Sequence, residues 1–468
     1  MKILNSLLFL TISLSSFGQS HLQNGNAINF AAQAISMSSN GEVVALGSTT
    51  SNAVYVYALD SLGNWNQLGG ISGESFGDQS GKSVSISNDG TVVAIGAPYN
   101  DGGGLSSGHV RVYKYLNGSW SLRGSDIDGS TTNQVLGHSV SLSGNGDRVA
   151  IGAPLSSAGG YFGGEVKVFD YSNGSWSQAG DSIFGDDSYD CLGSSVSLSD
   201  DGNTLATGGV GQTAYWSGNT SSSRFGVVKT YKWSGSSWIQ QVDSNITANA
   251  GADFFGDAIS LSGSGNVLAV GAPHTATGYV KTYNYVSTGQ TSGFWTLDST
   301  IYGGLSASDK FGKSISLSDD GGVLAIGAPF NNNNGVANNG YVRIYRYVNF
   351  GWQVLGDSII DLTINGNVCA NCINSGQAVS LSSSGQSLAN GFSNNSAVFT
   401  IFPIQLSLTL SSSWICSGDT IQASVPYDSA VSYLWNTGDT SSFIDIYQAG
   451  NYSVKYKLMG SGYWADSI

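Results

Sequence analysis

Serine and an apolar residue alternate over five positions again and again along this chain, as in Ser83-Val84-Ser85-Ile86-Ser87. That period of two is the mark of a half-buried strand. The alternation runs into a short turn ending in glycine, such as Asn88-Asp89-Gly90, where glycine accepts the positive φ that a hairpin needs. A nearly continuous apolar strand follows, Thr91 to Ala97 in this copy, and its lack of alternation predicts burial on both faces. Seven windows of sixteen residues align without a gap, from AISMSSNGEVVALGST at Ala34 through SVSISNDGTVVAIGAP at Ser83 to AVSLSSSGQSLANGFS at Ala378. Their shared glycines, Gly41, Gly90, Gly146, Gly202, Gly265, Gly321 and Gly385, stand 49, 56, 56, 63, 56 and 64 residues apart. A period of that length holds one four-stranded sheet.

The third strand of each unit is aromatic and β-branched, Val110 to Tyr115 in the second copy, and an Asn117-Gly118-Ser119 turn leads to a fourth strand opening at Trp120. Equivalent tryptophans stand at Trp65, Trp176, Trp238, Trp295 and Trp352, where packing between neighbouring sheets is the expected role. The seventh unit lacks this strand. At the other end of the chain, His21 to Ile28 aligns with Trp176 to Ile183 and shares Gln23, Gly25 and Ile28 with it. The expected fold is all-β: a seven-bladed β-propeller over residues 20–403, closed by the N-terminal strand so that no inner edge stays open.

Phe76-Gly77, Phe255-Gly256 and Phe311-Gly312 precede first strands, and Gly-Ala-Pro ends second strands at 96–98, 152–154, 271–273 and 327–329. These motifs resemble FG-GAP repeats, the units of the integrin α-subunit propeller and of related bacterial surface proteins. The resemblance covers residues 21 to about 402 and implies adhesion or protein binding. Calcium-binding repeats of that family carry an Asp-x-Asp-x-Asp-Gly loop, which here has shrunk to Asn88-Asp89-Gly90, Asp200-Asp201-Gly202 or Asp319-Asp320-Gly321. A hard cation wants six to eight oxygens, so no metal ligand and no cofactor is expected. Residues 404–468 lack the repeat; Cys416, Trp435 and Gly450-Asn451-Tyr452-Ser453-Val454 resemble an immunoglobulin-like or PKD-like β-sandwich. No second cysteine follows Cys416, so the usual cross-sheet disulfide is not expected, and the module is read as incomplete.

Composition sets the compartment and the partners. Lys2 and the apolar run Ile3 to Leu14, followed by Ser15, Ser16 and Gly18, suit a signal peptide over residues 1–19. The chain is therefore expected to be secreted or displayed at the cell surface. With 17 Lys and Arg against 31 Asp and Glu, the net charge of -14 repels phosphate backbones and anionic lipid, so nucleic acid and membrane insertion are not expected. An extracellular protein or a glycan is the expected partner of a monomer.

Sequence motifs for catalysis are missing. The four histidines fall in different repeats, and no Gly-x-Ser-x-Gly or His-Glu-x-x-His pattern occurs. Asp181, Asp186, Asp187 and Asp190 crowd one connection, which reads as a solvated acidic loop. Cys369 and Cys372 are expected to form a local disulfide, and Cys191 is placed at the phenylalanine position of a Phe-Gly pair as a buried thiol. Connections between strands two and three, and between four and the next one, vary in length and share one face, whereas the others are tight turns. That variable face is the expected binding surface, with Tyr161, Phe162, Tyr215, Trp216, Asp186 and Asp187 as candidate ligand contacts. The reading is a non-enzymatic interaction or adhesion protein; a carbohydrate-binding or polysaccharide-cleaving propeller is the alternative.

Overall fold

The structure is a computed structural model that describes most of residues 22–400 and strand segments between 409 and 458. Residues 1–21, 212–224, 242–245, 249–252, 304–308, 331–338, 369–373, 401–408, 411–420, 425–430, 447–453 and 459–468, with some shorter stretches, lie outside the described residues. The expected signal peptide, the candidates Tyr215 and Trp216, and Cys369, Cys372 and Cys416 fall there. Every described regular element is a β-strand.

The protein is a β-propeller. Ala34–Met37, Val43–Ser48, Ala53–Leu59 and Trp65–Ser72 form the first antiparallel blade, with each strand beside its predecessor. Five more blades follow in the same way, with first strands at Ser83–Ile86, Ser139–Leu142, Leu192–Leu198, Ala258–Leu261 and Ser314–Leu317. Six blades, not seven, are therefore self-contained. The seventh repeat supplies Val379–Leu381, Ser387–Gly391 and Ser396–Thr400, and its sheet takes Leu22–Gln23 from the far end of the chain as fourth strand. Gln23 pairs with Phe399 as Gln178 pairs with Phe169, and Ile28 bridges Ser396.

The alternating serines explain why the inner strands are polar at every second position. In the middle of the strand, Ser36, Ser85, Ser141, Ser197, Ser260 and Ser316 each accept a backbone N–H from the next sheet. The donors are Ile86, Leu142, Leu198, Leu261, Leu317 and Leu381, at 2.9–3.0 Å. Ser380 accepts from Met37 at 3.0 Å and so ties the composite sheet back to the first blade. The serine before it binds the same neighbour, as when Ser139 Oγ donates to the Gly193 carbonyl at 2.8 Å. The serine after it closes the turn: Ser87 Oγ donates to Asp89 at 2.6 Å and accepts Val92 N–H at 2.9 Å. Burial works to raise the Asp89 pKa, but the hydrogen bonds from Ser87 and Thr91 outweigh it and hold the carboxylate below its ordinary range. The aspartate of the shortened loop is thus spent inside its own turn.

Between blades, the glycine of Gly-Ala-Pro, or Gly208 at the same position of the fourth repeat, faces the glycine of the next blade's Phe-Gly position. A Cβ on Gly96, Gly152, Gly208, Gly271 or Gly327 would stand 2.0–2.2 Å from the carbonyl oxygen of Gly137, Gly193, Gly256, Gly312 or Gly376. Farther out, the tryptophans pack as expected. Trp176 Nε1 donates to Arg123 O at 2.7 Å and Trp238 Nε1 to Ala179 O at 3.0 Å, each reaching the preceding blade.

One end of the axis is closed by the tight turns. Ser39, Asn88, Gly144 and Asp200 N–H groups each bond the carbonyl of a neighbouring turn at 2.8–3.0 Å, and Asp319 and Ser383 continue the circle at 2.9 and 3.0 Å. Here Asp200 and Asp319 hydrogen-bond to each other. Burial, then the Asp319 carboxylate, pushes the Asp200 carboxyl up to about 6 from 3.8. The folded state therefore holds the proton more tightly than the unfolded chain, and stability falls as pH rises from about 4 to about 7. Asp200→Asn should flatten this slope, raising stability at neutral pH by about 1 kcal/mol after allowance for solvent screening. Melting curves at pH 4 and pH 7 check it; an unchanged slope in the variant would refute the shared proton.

The segment Phe402–Ile468 belongs to a second compact unit. Thr409–Leu410, Ile421–Ser424 and Phe443–Ile446 form one small antiparallel sheet, and Val431–Trp435 pairs with Val454–Leu458 in another.

Candidate functional site

At the other end of the axis, on the variable face, stands the residue just before each sixteen-residue repeat window. Around the ring this position is Gln33, Lys82, His138, Ser194, Asp257, Lys313 and Gln377. A chain of net charge -14 thus brings two lysines and a histidine close together. They sense one another: Lys82 interacts with Lys313 and Asp257, and His138 with Lys82 and Lys313. Lys313 Nζ lies 2.7 Å from Asp257 Oδ2, so that lysine is partnered. Lys82 forms no ion pair among the described residues. Burial first, and then Lys313, lowers its pKa. Burial and the same lysines hold the His138 imidazole well below its ordinary 6.5.

A second ring of residues surrounds the first. Three positions before that column, the chain turns through a left-handed residue: Gln79, Val135, Cys191, Phe254, Lys310 and Asn374, with φ between 53° and 61°. An acidic side chain holds several of these corners. Asp78 accepts Ser75 N–H at 3.0 Å, and Asp253 accepts Phe255 N–H at 3.1 Å and the Tyr279 hydroxyl at 2.5 Å. This geometry revises the motif. Leu192, Leu136, Phe311 and Ser375 are the equivalent residues bridged to the preceding blade, so Cys191 sits one position before the Phe-Gly pair and not in it. Its thiol is fully buried. Phe76-Gly77 lies outside the pattern too; Ser80-Gly81 takes that place, and Phe76 is 99% exposed.

Lys310 brings a third ammonium group to the mouth. Burial lowers its pKa first, then Lys313. Next to it His274 stacks on Phe254, with ring centroids 3.8 Å apart, and is pushed down to about 4 by burial, Lys310 and Lys313. Phe254 packs with Cys191 and Val210, and Phe162 packs against that cluster. Tyr161 lies 4.2 Å from Phe162 and 5.4 Å from Tyr189 between ring centroids, and is 57% exposed. Two of the candidate contacts thus belong to an aromatic strip that runs up to the basic mouth.

The acidic candidates are placed differently. Asp186 lies 2.6 Å from Lys229 Nζ, a lysine only 2% exposed that also donates to Phe184 O at 3.1 Å. It neutralises a buried cation and is held by that duty. Asp187 is exposed, and its N–H bonds Asp190 at 2.9 Å to shape the connection. Elsewhere on this face, Glu74, Asp126 and His109 come together in a metal-like group. Arg111 already fills it, paired with Glu74 and, at 2.7 Å, with Asp126. The guanidinium supplies the positive charge that an ion would bring.

No family model and no curated protein matches the chain. Among solved structures, a chain of the mitotic checkpoint complex shares 17% identity at a TM-score of 0.50, covering 86% of this chain and 99% of that one. The β-propeller domain of Cps50 (Swd1) from Myceliophteria thermophila shares 11% at a TM-score of 0.52, covering 82% and 100%. The fold is a β-propeller. A chain of Kuenenia stuttgartiensis hydrazine synthase is similar in the same way, with 13% identity, a TM-score of 0.50 and coverage of 83% and 99%. Likeness at this level speaks for the fold, and the function must be read from the site.

The basic mouth was not among the residues singled out in the sequence. Lys82, His138, Asp257, Lys310 and Lys313 are spread over several blades, and each looks like an ordinary surface residue beside its own neighbours. The signal lies in the aligned column before the repeat window, where charged residues recur in a chain that has few.

Proposed function

We propose that this chain is a secreted or cell-surface interaction protein that binds its partner on the variable face of the propeller without catalysing a reaction. One observation carries the reading: the variable face gathers cationic side chains near the axis with an aromatic strip leading to the exposed Tyr161, whereas the turns of the opposite face are closed by their own hydrogen bonds. Binding sites favour concave openings with a few convergent polar groups on a rigid frame. The FG-GAP resemblance of the repeats supports an adhesion role, and the residues before Ser20 support export. We read the composite sheet as the seventh blade of the ring and residues 404–468 as an immunoglobulin-like or PKD-like attachment module.

The enzymatic alternative needs two carboxylates set apart. Retaining glycosidases hold theirs about 5 Å apart and inverting ones farther. Asp200 and Asp319 are in direct hydrogen bond at the closed end, and at the open mouth Asp257 stands among lysines. A carbohydrate partner is compatible with this arrangement; hydrolysis of it is not favoured.

The test is a binding screen of the purified chain, lacking residues 1–19, against arrays of glycans and extracellular-matrix proteins. Saturable binding to either class, weakened by Tyr161→Ala, is expected. A blank on both arrays, or a hit insensitive to every substitution on the variable face, would overturn the reading.

A further inference from the structure

The channel mouth holds more positive charge than its surroundings neutralise. Lys313 has Asp257 at 2.7 Å, but neither Lys82 nor Lys310 has an ion pair or a side-chain hydrogen bond among the described residues. Both are half-buried and crowd the same opening. Asp257 is the one carboxylate that acts on all three lysines, and three cations that share a single counter-ion are destabilising by themselves. An anion seated among them would relieve the repulsion. The rest of the rim is uncharged and suited to hydrogen bonding, with Gln33, Ser194 and Gln377 in the same column.

Two further features narrow the class of ligand. The net charge of -14 repels a polyanion over long range, which favours a ligand with its charge confined to one group. The aromatic strip from Tyr161 through Phe162 and Phe254 ends at His274, beside the lysines. A ligand that spans both needs one carboxylate and, farther along, a flat apolar face. Sugar acids have that form: the C–H face of the ring packs on an aromatic side chain while the carboxylate points away.

We propose that the mouth of the channel binds the carboxylate of a uronic-acid sugar, held by the ammonium groups of Lys82, Lys310 and Lys313, with neighbouring sugar rings carried by Tyr161 and Phe162. The inference deepens the proposed function, because it names a ligand class for the same face. Charge-assisted hydrogen bonds from several lysines supply the affinity, and the neutral rim recognises hydroxyl groups.

The protein itself offers the substitutions for a test. Gln33 and Gln377 occupy the position of Lys82 in other blades, and Gln79 occupies that of Lys310 with φ +55° against +58°. Lys82→Gln and Lys310→Gln should therefore fold, which circular dichroism and an unchanged melting profile confirm. Calorimetric titration of the full chain with a trisaccharide of two galactose units ending in a single galacturonic acid should give binding that each single variant weakens about tenfold and the double variant abolishes. The corresponding neutral galactose trisaccharide should not bind, and Tyr161→Ala should weaken the acidic one. No binding of the acidic sugar, equal binding of the neutral one, or wild-type affinity in the double variant would each overturn the proposal. A short peptide with a free terminal carboxylate serves as the competing arm; if it binds as tightly as the sugar, the choice of ligand class is wrong. An array partner that binds the double variant as well as wild type would leave the proposed function standing while this inference falls.

Discussion

Removal of residues 20–30 should lower the melting temperature by roughly 10 °C and promote aggregation. The loss has identifiable parts. Ile28 is buried beside Ala32, Met37, Val44 and Leu46, and its burial is worth about 2 kcal/mol. Its N–H and carbonyl exchange 2.9 Å hydrogen bonds with Ser396, each contributing about 1 kcal/mol. Phe30 meets Tyr55 edge-on at 4.8 Å, which adds about 1 kcal/mol. The sum, about 5 kcal/mol, is a large part of the stability of an ordinary domain. Deletion also leaves Ser396–Thr400 as an open edge able to pair with another chain. Calorimetry and light scattering on the truncated protein give the answer, and unchanged cooperative melting without aggregation would show that the strand does not close the ring.

Gly152→Val should be at least as damaging although it adds only three carbon atoms. The new Cβ would meet the Gly193 carbonyl oxygen at 2.1 Å and Ser139 Oγ at 2.3 Å. Neither can retreat easily, because Ser139 Oγ donates to that same carbonyl and Gly193 leads into the next blade. Separating the two blades enough to fit the side chain costs about 3 kcal/mol or more. Gly351→Ala is the control, since no atom lies within 4 Å of its Cβ position; it should be neutral or slightly stabilising. Chemical denaturation of the pair decides the matter: equal midpoints would mean that the glycine-to-carbonyl approach between blades is not what selects Gly-Ala-Pro.

Much of this architecture was legible because the motif is local and repeated. Ser83 to Ala97 shows a strand, a turn and a buried strand by its own pattern, and six further copies exclude coincidence. The alignment of His21 to Ile28 with Trp176 to Ile183 even revealed which end supplies the missing strand. Cys191 was misplaced by one residue, because sequence spacing does not show that the residue before Leu192 takes a left-handed corner. Phe76-Gly77 misled for a related reason: the letters of the motif occur, but Ser80-Gly81 does the packing.

Asp186 shows the limit for site prediction. As a member of an acidic run it looked available to solvent or ligand, and only the fold brings Lys229, 43 residues away, to within 2.6 Å of it. The basic mouth is the converse case, where residues without any local distinction become a site.

The sequence by itself determined the all-β repeat, its four-stranded unit, the buried second strands and the swapped closing strand, because these follow from backbone periodicity and from chemistry within a few residues. Only the tertiary structure decided which side chains share the axis. Lys82 and Lys313 are 231 positions apart in a chain of 468 residues, and they interact because a closed ring turns the same position of every blade toward one point. Their electrostatic energy depends on distance through space, which no linear pattern records.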